Sequence, residues 1–77
     1  MTPIYVTYTH ICLNGERVRF AIECANEFEK AMAMYDLLSR VGVINIRVNR
    51  SGRGLPKESA KIFPFYEYIN ASKTTIK

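Results

Sequence analysis

Residues 4–25 read IYVTYTHICLNGERVRFAIECA, two β-prone runs on either side of Leu13-Asn14-Gly15-Glu16. In the second run Val18, Phe20, Ile22 and Cys24 alternate with Arg17, Arg19, Ala21 and Glu23, the pattern of a strand with one buried face. The length of the turn decides which side of the first run joins that face. A two-residue Asn-Gly turn would set Thr9 against Phe20 and leave Ile4, Val6 and Tyr8 beside the arginines. A three-residue loop, Leu13-Asn14-Gly15, pairs Cys12 with Glu16 and moves the register by one. Tyr8 then faces Phe20, Val6 faces Ile22 and Ile4 faces Cys24. A one-residue slip reverses every side chain, so the apolar match selects the longer loop. That loop is a type I turn closed by a bulge with Gly15 in the left-handed conformation.

Working outward from the hairpin, Asn26 and Glu29 form a capping box for a helix that stops near Gly42. Phe28, Ala31, Met32, Tyr35 and Leu38 have helical spacing and are expected to face the sheet. Met34, Leu37 and Val41 widen the apolar arc beyond one sheet contact, so the C-terminal segment or another chain should cover it. Residues 43–50, VINIRVNR, alternate again, with Ile44, Ile46 and Val48 expected inward and Asn45, Arg47 and Asn49 outward. Residues 61–69, KIFPFYEYI, have strand composition, and Pro64, which lacks a ladder donor, makes them an edge strand or an extended segment over the core. The expected fold is α+β, a two-layer β-β-α-β-β domain with a mainly antiparallel sheet and one helix on one face. Residues 1–77 form a single domain, with a basic loop at 51–61 and a fraying tail at 70–77.

The composition is that of a globular chain: 48% hydrophobic and 23% charged among 77 residues. The apolar runs are too short to span a bilayer, which argues against a membrane partner. The chain starts at Met1 without a leader pattern, and two cysteines are few for a secreted domain of this size. A cytoplasmic product with reduced thiols is expected. In the predicted register Cys12 and Cys24 lie too far apart for a bridge. The net charge is +4, unevenly spread. Residues 1–40 carry four basic and five acidic side chains, residues 41–77 seven basic and two acidic. The basic half is expected to meet nucleic acid or an acidic protein surface.

No pattern of nucleophile with base, paired carboxylates or metal cluster is present, so neither catalysis nor a cofactor is expected. One histidine and two cysteines are too few for a structural zinc, and His10 is expected on the sheet's apolar side, opposite Val18. Gly52-Arg53-Gly54 suggests a phosphate cradle, but it opens no helix and no Walker pattern follows. The segment is better read as a docking loop. Arg47, Arg50, Arg53, Lys57 and Lys61 are the candidate binding residues, joined by Tyr66 and Tyr68 as aromatic anchors. An alternative nucleic-acid face is Tyr5, Arg17, Arg19 and Arg47 on the outer side of the sheet.

Two functions follow. The first is a small binding protein that inhibits or modulates a partner protein, or a protein–nucleic acid complex with an acidic surface. Accessory proteins of phages and mobile elements that act on host defence or nucleic-acid machinery are built on this scale. The second is a DNA- or RNA-binding protein that uses the basic half. Homodimerisation through the edge strand or the helix stripe is compatible with either.

Overall fold

A computed structural model describes residues 2–74. The elements are β1 (Ile4–Ile11), β2 (Arg17–Cys24), α1 (Glu27–Leu38), β3 (Val43–Asn49), a short 3-10 turn (Ser59–Lys61), β4 (Ile62–Pro64) and α2 (Phe65–Thr74). They form an α+β domain with a four-stranded mixed sheet ordered β3-β1-β2-β4. The hairpin has the register that the apolar match selects: Ile4 pairs with Cys24, Val6 with Ile22, Tyr8 with Phe20 and His10 with Val18. The Cys12 amide donates to the Glu16 carbonyl (2.8 Å) and the Gly15 amide to Cys12 (2.9 Å), with Gly15 at φ +87°.

β3 lies antiparallel to β1 on its free edge, with a bulge between Thr7 and Thr9. Asn45 sits in that bulge at φ +57°, a conformation asparagine tolerates better than most residues. The extra residue reverses the alternation upstream of it. Ile44 pairs with Thr9 on the outer face and Val43 with His10 on the helix side. The inward placement expected for Ile44 is therefore corrected, while Ile46 keeps its place against the core.

The C-terminal third departs most from expectation. β3 and β4 both run parallel to β2, so they form no hairpin. Residues 50–61 instead carry the chain from one edge of the sheet to the other, as parallel strands demand. The strand expected over 61–69 shrinks to Ile62–Pro64, which pairs in parallel with Ala21–Glu23. From Phe65 onward the chain is helical through Thr74, so 70–74 belongs to α2; residues 75–77 of the expected tail lie outside the described residues. Proline just before a helix costs no intrahelical bond, and Phe65, Tyr68 and Ile69 repeat at helical spacing toward the core.

Both helices pack on the same face. Val6, Ile22, Cys24 and Leu37 are fully buried, joined by Ile4, Tyr8, Ala33 and Tyr68. Rings step across three strands, Tyr8 on Phe20 at 5.6 Å and Phe20 on Phe63 at 5.7 Å, both stacked. Tyr68 meets Tyr8 edge-on at 6.4 Å. Its hydroxyl donates to Asp36 Oδ2, the carboxylate oxygen that also receives the Arg40 Nε–H at 2.9 Å. Burial pushes the Tyr8 phenol up to about 12 and the Cys24 thiol up to about 11. Cys12 and Cys24 are free thiols.

α1 starts on its capping box. Asn26 Oδ1 accepts from the Glu29 amide at 2.9 Å, and Glu29 Oε1 reaches back to the Ala25 amide at 2.8 Å. Replacing Asn26 by Ala is expected to cost about 1 kcal/mol of stability. A urea titration with an unchanged m-value would register that loss as a lower midpoint. The face α1 buries is not the expected one. Ala33 and Leu37 meet the sheet, with Met34 half-buried, whereas Phe28, Ala31, Met32, Tyr35 and Leu38 are exposed. Apolar residues occur almost all round this helix, so periodicity alone does not choose a face. Tertiary contacts choose it. Ala33 is small enough to sit on strands already filled by Val6, Tyr8 and Ile22, and α2 closes the flank at Leu37 through Tyr68.

Candidate functional site

The outer face of the sheet is built on short side chains. Thr7 lies between Arg47 of β3 and Ala21 of β2, and Thr9 between Ile44 and Arg19. Both threonines are buried, so this face is partly covered. The crossover 50–61 passes beside it. A depression of about 670 Å³ is lined by Thr7, Arg19, Arg47, Arg50, Arg53 and Gly54, among others. A second, of about 400 Å³, is lined by Arg19, Gly54, Leu55, Lys57, Glu58 and Lys61. Arg19 and Gly54 belong to both, so the two form one track.

That track merges two groups of residues that are separate in sequence. Arg19 and Arg47 come from the strands; Arg50, Arg53, Lys57 and Lys61 come from the loop. The remaining candidates lie elsewhere. Arg17 is exposed at the far end of β2, opposite Ile11, outside either depression. Tyr5 is half-buried on the outer face between Glu23 and Asn49, also outside the lining. Tyr66 is exposed beside Glu23 and Glu29 at a different depression. Tyr68 is buried in the core and bonded to Asp36, so it is a packing residue rather than an exposed anchor. Its position at an inward turn of α2, not on a strand, accounts for the difference.

Asn49 shapes the loop. Its Oδ1 accepts from the amides of Ser51 (3.1 Å) and Gly52 (2.8 Å), and its Nδ2 donates to the Arg53 carbonyl at 2.6 Å. The Arg53 amide donates to Ser51 Oγ at 3.2 Å. These side chains use the very N–H groups a phosphate cradle would need, so Gly52-Arg53-Gly54 is no nest for an anion. The glycines serve the backbone instead, at φ +78° and +74°. Attraction for anions falls to the guanidinium and ammonium groups.

Arg50 is tied at the start of the loop. Its Nη1 contacts Glu27 Oε2 at 2.7 Å, and Lys30 contacts the other oxygen of Glu27 at 2.9 Å. Arg50 and then Lys30 hold the Glu27 carboxyl well below the usual range, at about 2. The pair is exposed, so it steers the loop more than it stabilises the fold. Lys61 meets Glu58 at 3.3 Å. No carboxylate lines the larger depression among the described residues.

On the helix side a depression of about 400 Å³ is lined by Tyr8, His10, Phe20, Arg40, Phe63 and Tyr68, among others. Its walls are mostly apolar, with His10, Glu67 and Arg40 among them, and the Arg40 charge is engaged by Asp36. Among the described residues no three His, Cys, Asp or Glu side chains come together as a metal site, and no helix is long and apolar enough to cross a membrane. No protein-family model matches the chain, and neither a curated protein nor a solved structure is similar to it.

The merged track was legible only in part. The basic residues stand out in the sequence, and a twelve-residue connection over 50–61 is long for a hairpin. Nothing local announces that Arg19, on the hairpin, joins the loop.

Proposed function

We propose that this chain is a small non-catalytic protein that binds nucleic acid through the outer face of its sheet, gripping the phosphate backbone. One observation carries the reading: Arg19, Arg47, Arg50 and Arg53 surround a single depression whose lining holds no carboxylate. Continuity through Arg19 and Gly54 extends it toward Lys57 and Lys61, with Glu58 paired to Lys61, and a run dominated by cations suits a linear polyanion. Among the described residues no aromatic side chain lines the track, so base stacking contributes little and binding should be nearly indifferent to sequence. The competing reading is a protein-directed modulator of the kind mobile elements encode, in which the same arginines enter an acidic groove.

Fluorescence anisotropy of a labelled single-stranded oligonucleotide across a salt series tests the proposal. Engagement of four to six cations predicts a log–log salt slope of roughly −3 to −4. Sequence scrambling should leave affinity nearly unchanged. Absence of binding at low salt, together with capture of an acidic protein from nuclease-treated lysate, would move the function to the protein-directed reading.

A further inference from the structure

The face of α1 turned from the sheet carries an apolar stripe. At about 100° per residue, Phe28, Ala31 and Tyr35 lie roughly opposite Ala33, which meets the sheet. Phe28 is 71% exposed, Met32 43%, Tyr35 77% and Leu38 71%, and Val41 just beyond the helix is 98% exposed. Taking about 150–250 Å² for a fully exposed large side chain, the four on the helix present roughly 500 Å². The largest apolar patch on a typical monomer is about 300–600 Å². One side of a standard protein interface is about 800 Å².

We infer that this stripe docks a second copy of the chain, by antiparallel packing of α1 on α1 about a two-fold axis. The helix residues supply more than half of what one side of a stable dimer needs, with Ala31, Val41 and the helix flanks adding the rest. The charges of α1 do not oppose this packing. Glu27 is held by Lys30 and Arg50, Asp36 by Arg40 and Tyr68, and Glu29 by the Ala25 amide. The stripe is left without charge, as the centre of an interface requires. An isologous contact needs a self-complementary surface. Antiparallel pairing supplies one, with Phe28 of one protomer toward Leu38 of its partner and Met32 and Tyr35 near the axis. The stripe points away from the sheet, so the dimer leaves both basic tracks open on its outer sides. The inference is independent of the nucleic-acid reading.

Sedimentation equilibrium of the full chain, without nucleic acid, tests it. At roughly 100 μM, well above a micromolar dissociation constant, the mass should be twice 8.9 kDa. Tyr35→Glu and Leu38→Glu should each raise the dissociation constant at least about 30-fold, the loss expected for a hot-spot residue. Their circular dichroism should match the parent's, since both positions are exposed. A parent that stays monomeric, whether or not it captures another protein through the stripe, overturns the inference. So does a dimer that survives both substitutions, which would place the pairing on a sheet edge.

Discussion

Leu37→Ala should destabilise the domain by about 3–5 kcal/mol, while Leu38→Ala, one residue on, should cost less than about 1 kcal/mol. Leu37 is 1% exposed within the cluster of Val6, Tyr8, Ile22 and Tyr68, so truncation removes transfer energy and leaves a cavity. Leu38 lies on the exposed face, and its truncation leaves no cavity. A 77-residue domain has on the order of 4–12 kcal/mol of total stability, so the Leu37 variant would lose a large share of it. Urea unfolding of both variants, at dilutions where the chain is monomeric, measures the difference. Equal costs would mean that α1 is rotated from the orientation described, with the Phe28 face against the sheet.

Arg19→Glu should weaken oligonucleotide binding more than any other single change in the track. Arg19 lines both depressions, so reversing its charge interrupts the line of cations at its centre. Loss of a charge-assisted contact is worth about 1.5–3 kcal/mol, roughly 10- to 100-fold in affinity. Arg17→Glu is the matched control. It makes the same change of charge on the same strand, outside the depressions, and should act only through weak, screened attraction. Anisotropy titrations of the two variants at one salt concentration make the comparison. Equal losses would show that total charge, rather than the track, governs binding. Arg50→Ala gives a milder contrast, because it changes one charge rather than two and Arg50 is already paired with Glu27.

The hairpin shows how far local pattern reaches. The register of β1 and β2 follows from matching two apolar faces across one loop, because a side-chain period of two makes a single slip intolerable. The capping box at Asn26 is legible for the same kind of reason: its partners lie within four residues. α2 could have been read from Pro64 followed by Phe65, Tyr68 and Ile69 at helical spacing. The aromatic content of the same residues favours a strand and masks that spacing. The bulge at Asn45 left no mark beyond asparagine's tolerance of positive φ, and it reversed the facing of Ile44.

By itself the sequence determined the hairpin and its register, the start of α1, the third strand and the concentration of positive charge after residue 40. Each rests on neighbours in the chain or on one long-range match with a clear apolar signature. Tertiary structure alone decided the face α1 buries, the parallel edge strand β4 and the meeting of Arg19 with the loop. The reason is physical. A helix apolar on every side is oriented by the volume left beneath it, here a space that accepts Ala33 and Leu37. A crossover brings together residues on opposite edges of a sheet only after that sheet has formed. The basic track is a product of strand order, which no stretch of the chain encodes locally.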